Sequence, residues 1–161
     1  MMRGKGSKIP GEIVVVNRTR QRLSLALFAR IARTAAVVLG ARNAEVGIVF
    51  VGETEMRRLA LRRHRSRKTP NVLSFSYRLE RGRLGTRRDI LGDIVVCPSV
   101  SRREARGFRR TQESHLAALL VHGMVHLAGY RHYGKSDAQR MERLEQRIAR
   151  QAGILAGNPK P

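Results

Sequence analysis

Apolar positions along the chain recur with two periods, and the switches between those periods divide it into strands and helices. Glu12 to Asn17 (EIVVVN), a β-branched run between Pro10-Gly11 and a polar patch, predicts a short buried strand. Leu27, Ile31, Ala35 and Val38 then fall on one face of a helix over about 23–39, with Gly40 as its stop. Glu45 to Val51 predicts a second strand. Thr54 stands where an N-cap is expected, ahead of a helix to about Arg63 with Met56, Leu59 and Ala60 inward. Asn71 to Tyr77 (NVLSFSY) and Leu91 to Cys97 (LGDIVVC) read as two strands joined by the Arg-rich connection 78–88, hence an antiparallel hairpin. Pro98-Ser99 opens a short helix ending by Gly107. Thr111 caps a long apolar helix to Gly129, and Ser136 caps an amphipathic one to about Gln151. The order βαβαββααα predicts an α+β fold: a single domain with one small mixed sheet of about four strands and helices packed on it. Neither repeat nor linker interrupts the pattern, so residues 1–161 read as one domain, with 1–8 and 156–161 as flexible tails.

Composition sharpens the expected surroundings more than the fold. A chain of 161 residues buries roughly 70% of its unfolded surface, enough for a core without staples. Its 42% hydrophobic content speaks against wholesale disorder. The one cysteine, Cys97, excludes an intramolecular disulfide and suits a reducing compartment. Neither a membrane span nor a signal-peptide core is expected, since the apolar stretch nearest the N-terminus is only Ile13 to Val16. The expectation is a cytoplasmic protein. Against 12 acidic residues stand 33 Lys and Arg, a net charge of +21 that points to a polyanionic partner. Three Tyr, four Phe and no Trp are too few for a base-stacking platform, which argues against sequence-specific readout.

Candidate chemistry lies in HGMVHLAGYRH at 122–132. His122 and His126, four apart, stack on one helix face within reach of one ion. Gly129 is a natural helix stop, after which the chain can bring His132 back to the same point. Three imidazoles with an open fourth position is the arrangement of a catalytic zinc, whereas a structural zinc wants a fourth protein ligand. His115 shares the stripe but lies about 10 Å up the helix axis, too far to join them, and reads as a polar residue of the first turn.

The spacing H-x-x-x-H-x-x-G-x-x-H is shared with the metzincin proteases, which need Glu directly after the first His as general base. Here that position is Gly123, and no acidic residue occurs from 114 to 136. A carboxylate has to come from elsewhere in the fold, with Asp93 the first candidate. Phosphodiester chemistry asks instead for a metal together with cations that stabilise charge on phosphorus. Basic clusters at 57–68, at Arg102, Arg103, Arg106, Arg109 and Arg110, and at 78–88 supply the cations for a channel leading to the metal.

With these residues in view, the chain resembles the YbeY family of bacterial rRNA maturation factors and metal-dependent endoribonucleases. HGMVHLAGYRH is similar to that family's H-G-x-L-H-L-x-G-Y-D-H signature; NVLSF at 71–75 and LGDIVVCP at 91–98 are similar to its T-[DN]-V-L-S-F and L-G-D-I-V-I segments, and the resemblance covers roughly 45–150. It implies an α+β fold and one Zn²⁺ held by His122, His126 and His132. It also implies a single-strand-preferring endoribonuclease acting in 16S rRNA 3′-end maturation and ribosome quality control, with ribosomal RNA and the small subunit as partners. The family's functional arginine falls by gapless counting on His64, between Arg63 and Arg65, and Thr69-Pro70 inverts the usual Pro-Thr; Arg65 is taken as the catalytic candidate. Two positions depart from the pattern. Arg131 replaces the Asp of Y-D-H, and His115 stands where an acidic residue is often found. If that Asp orients a ligand histidine, a substitute is needed; otherwise Arg131 adds an RNA contact. The rival readings are a non-catalytic ribosome assembly factor with a structural metal and, opposed by Gly123, a metalloprotease.

Overall fold

The computed structural model of the chain describes residues 11–77 and 90–154, and the expected order of elements holds through them. In chain order they are β1 (Ile13–Asn17), α1 (Leu25–Val38), β2 (Glu45–Phe50), α2 (Glu53–His64), β3 (Val72–Ser76), β4 (Ile90–Val96), α3 (Pro98–Gly107), α4 (Gln112–Leu127) and α5 (Lys135–Gln151). The two expected tails and the connection 78–88 lie outside the described residues.

The strands form one mixed sheet in the order β1-β2-β4-β3. β1 and β4 flank β2 in parallel, so the chain crosses over through helices between them. β3 pairs antiparallel with β4, Ser74 opposite Ile94 and Phe75 opposite Asp93, which is the expected hairpin pairing. Strand alternation then gives each face its own core. On one face Val46, Ile48, Phe50, Ile94 and Val96 pack against Phe28 and Ile31 of α1 and Leu116, Leu120 and Met124 of α4. On the other, Leu73 and Val95 meet Met56 and Ala60 of α2, with Cys97 and Val100. Burial holds the Cys97 thiol above its usual pKa.

Of the described helices α4 is the most enclosed, packed by β3, β4, α1, α3 and α5. A helix apolar on nearly every side is stable only in such a place. Gly123 faces the sheet, where an added Cβ would meet Ile94 Cγ2 at 3.0 Å and Ser74 Oγ at 3.2 Å. The missing side chain lets α4 lie close on β3 and β4, and it also settles what position 123 can do. A glutamate there would run into the sheet instead of reaching the histidines.

Thr111 caps α4 as expected, its hydroxyl accepting from the Ser114 amide at 3.1 Å. The other two expected caps are corrected. Gly52, not Thr54, is the N-cap of α2, and Gly134, not Ser136, that of α5. Glu53 and Glu55 lie in the first turn of α2 and Asp137 in that of α5, where their charges face the unpaired amides. An acidic first turn thus takes over from the hydroxyl, and Thr54 and Ser136 become ordinary helical residues.

Candidate metal centre and cationic cleft

α4 presents His122 and His126 one turn apart and ends immediately below them. Gly129 takes φ +100°, a conformation that disfavours any side chain. Its amide bonds to the His126 carbonyl at 3.0 Å, and that of Tyr130 to Val125 at 3.3 Å. These two bonds close the helix in a Schellman turn and reverse the chain. The reversal brings His132 against the pair, its ring centroid 5.5 Å from that of His122 and 5.2 Å from that of His126. One nitrogen from each ring lies within 4.8 Å of the other two. The local spacing expected to gather three imidazoles does gather them.

The bonds behind the rings determine where the protons sit. His122 Nδ1 lies 2.7 Å from Glu145 Oε1 of α5, and His126 Nδ1 lies 3.0 Å from the Tyr130 carbonyl oxygen. A carboxylate and a carbonyl can only accept, so each Nδ1 carries its ring's proton and donates it. When both rings are neutral, their Nε2 atoms face each other as bare lone pairs 3.0 Å apart. Burial foremost, then the neighbouring His122, holds the pKa of His126 down at about 4, against the Tyr130 bond that raises it. Converging neutral imidazoles whose lone pairs meet are a mismatch that a cation between them resolves. The donor set fits zinc, and among the described residues no fourth His, Cys, Asp or Glu joins the group.

Glu145 was not foreseen in the sequence. The carboxylate expected from outside the motif was Asp93, and the structure corrects this. Asp93 neighbours Ile94, whose side chain packs toward α4, so strand alternation turns Asp93 to the opposite face. There it accepts from the Tyr77 hydroxyl at 2.8 Å. The trace of Glu145 in the sequence is a glutamate on the inner stripe of α5, between the buried Met141 and Ile148. His115 stands apart from the triad. It is fully buried and donates to Glu104, whose carboxylate also accepts from Asn71 at 2.9 Å, tying α3, α4 and the start of β3 together.

A cavity of about 430 Å³ opens beside the histidines, with His122, His126, Asn71, Ser74, Arg63 and Arg131 on its walls. Arg63, from the last turn of α2, stacks its guanidinium on the Phe75 ring at 5.1 Å. Arg65 takes the left-handed conformation that ends α2, with φ +50°, and is exposed outside this wall. Of the two arginines, Arg63 is the one that lines the cavity; for His64 only the backbone, as the last residue of α2, is described. Arg131 donates to the carbonyls of His126 and Tyr130 at 2.8 and 3.1 Å, so it braces the turn that presents His132. The basic clusters divide their labour: Arg103 pairs with Glu53 and Arg102 bonds Gln21 and Gln112, while Arg63 lines the cavity, joined there by Arg131 from outside the clusters. The third cluster, 78–88, lies outside the described residues.

The chain is similar to known proteins over most of its length. A family profile described as Endoribonuclease YbeY matches residues 15–153. The Endoribonuclease YbeY of Halorhodospira halophila is 42% identical over 114 residues, covering 70% of this chain and 73% of that one. The Bordetella pertussis protein of the same description is 45% identical over 118 residues, 71% and 70% of the two chains. The solution structure of a Thermotoga maritima protein superposes with a TM-score of 0.59 over 93% of this chain and 99% of its own, and at 21% identity it supports the fold alone. With the profile spanning sheet, helices and triad alike, the chain belongs to the YbeY endoribonuclease family.

Proposed function

We propose that the protein is a zinc-dependent endoribonuclease that prefers single strands and acts in 16S rRNA 3′-end maturation and ribosome quality control in the cytoplasm. The observation that carries this reading is the convergence of two bare Nε2 atoms and a third imidazole on one point, beside a cavity walled by arginines. His122, His126 and His132 would hold one Zn²⁺, which when bound supplies Lewis acidity toward a phosphoryl oxygen or toward water.

The remaining work falls to the chain's own groups. Arg63 and Arg131 meet the phosphodiester's negative charge, which grows as a fifth oxygen approaches phosphorus. A guanidinium forks onto two phosphate oxygens, and Arg63 is held for this by its stack on Phe75. Arg65, exposed at the end of α2, would take a neighbouring phosphate in this reading. Glu145 keeps the proton of His122 on Nδ1. The absence of a fourth protein donor among the described residues, with Cys97 buried in the core on the opposite face, favours an open catalytic position over a structural metal site. Ribosomal RNA and the small subunit are the partners this reading names.

The test is incubation of the purified protein with ribosomal RNA, with and without chelator, beside His126→Ala. Cleavage that needs both the metal and His126 is expected. Equal cleavage by the chelated protein or by the variant would overturn the proposal. Product ends distinguish two routes, since a 2′,3′-cyclic phosphate arises only from attack by the RNA's own 2′-hydroxyl.

A further inference from the structure

A second cavity, of about 450 Å³, lies on the far side of Arg131 from the histidines. Its walls are the α4–α5 turn and the first turns of α5, with Tyr130, Tyr133, Asp137 and Arg140 among its lining residues. Arg131 lines both cavities, so the two adjoin at this residue. Two carbonyls hold one of its nitrogens, and the rest of the guanidinium fork remains for other acceptors.

Tyr133 is 86% exposed, well beyond the other exposed large hydrophobic residues described, and it directly follows His132 of the triad. Its ring is thus set one residue from the metal ligands and turned to solvent. Asp137 and Arg140, three apart on α5, share a face beneath it. An aromatic face, two guanidinium groups and one accepting carboxylate make up the complement of a single nucleotide. The base has a π-face for the tyrosine, its phosphate has oxygens for the arginines, and amino groups on cytosine, adenine or guanine can donate to a carboxylate. The chain is too poor in aromatic residues for a stacking platform, but one ring beside the site suffices for one base.

We propose that this second cavity binds one unpaired nucleotide of the RNA strand next to the one held at the histidines, with its base on Tyr133 and its phosphate between Arg131 and Arg140. The proposal rests on the reading of the protein as an RNA-cutting enzyme and adds the feature that makes it prefer single strands. A base in a duplex is stacked and paired, and cannot lay its face on Tyr133.

The test uses chelator-treated protein, so that binding is read without cleavage. Fluorescence anisotropy follows a labelled single-stranded RNA oligonucleotide, a blunt duplex of the same sequence, and a series in which one abasic residue is moved along the strand. Tyr133→Ala is expected to weaken single-strand binding by about five-fold to a hundred-fold, the range for loss of one stacked base, while Tyr133→Phe retains it. Duplex binding should not distinguish the variant from the wild type. One abasic position should weaken the wild type and leave Tyr133→Ala unaffected. Unchanged single-strand binding by Tyr133→Ala, an equal loss on duplex, or an abasic series without a sensitive position would each overturn the proposal. If the wild type binds and cuts RNA and Tyr133→Ala binds it equally well, the subsite alone falls. If the wild type does not bind RNA and, with its metal in place, does not cut it, the endoribonuclease reading falls with it.

Discussion

Glu145 determines how well His122 can serve a metal. Its carboxylate and the imidazole are 12–13% exposed and 2.7 Å apart, so their charge–dipole interaction is only weakly screened. The acceptor behind Nδ1 fixes the tautomer and pushes electron density toward Nε2. Glu145→Gln keeps an accepting oxygen but removes the charge, and is expected to weaken zinc binding about 10- to 100-fold, read by competition with a chromophoric chelator. The triad itself is legible in the sequence because its spacing is local: one helical turn, a glycine stop and a reversal. Glu145 lies 23 residues beyond His122 on another helix, and only the packing of α5 on α4 brings it there. Asp93 illustrates the same limit from the other side. It lies in the L-G-D-I segment near the right elements, yet the alternation of β4 sends it to the wrong face.

Among the described elements, β4 carries a constrained backbone at Gly92. Opposite β2 its register slips between Glu45–Ile90 and Val46–Gly92, so Leu91 is an extra residue, and it is buried in the core. Gly92 beside it adopts φ +137°, and a Cβ at this position would collide with the Phe75 carbonyl of β3. The glycine of the L-G-D-I segment is therefore required by the bulge that lets β4 serve β2 and β3 together. Gly92→Ala should destabilise the protein by about 2–3 kcal/mol, seen as a lower urea midpoint with little change in slope. The order of strands and helices was readable because each element carries its own apolar period. Helix starts were less so: charged first turns at Glu53 and Asp137 replace the hydroxyl caps that Thr54 and Ser136 suggested. Counting along the chain could not separate Arg63, His64 and Arg65, since which of them reaches the cleft depends on the rotation of α2 and on where it ends.

At the scale of the whole molecule, a charge of +21 singles out no surface, whereas the arrangement of the arginines distinguishes one cleft. Arg18 and Arg103 spend their nearest nitrogens on Glu55 and Glu53, whereas Arg63 and Arg131 wall the cavity beside the histidines. Binding of single-stranded RNA should weaken linearly on a log–log plot against salt, with a slope of about −0.7 for each phosphate neutralised. Arg63→Ala and Arg103→Ala each lower the net charge by one, so a purely compositional effect of charge would change the slope equally in both. If the cleft is where the strand runs, Arg63→Ala flattens the slope by about 0.7 while Arg103→Ala leaves it near that of the wild type. Equal slopes for the two variants would detach the charge from the cleft. A difference confined to Arg63 would place one backbone phosphate against its guanidinium, in the cavity that the histidines line.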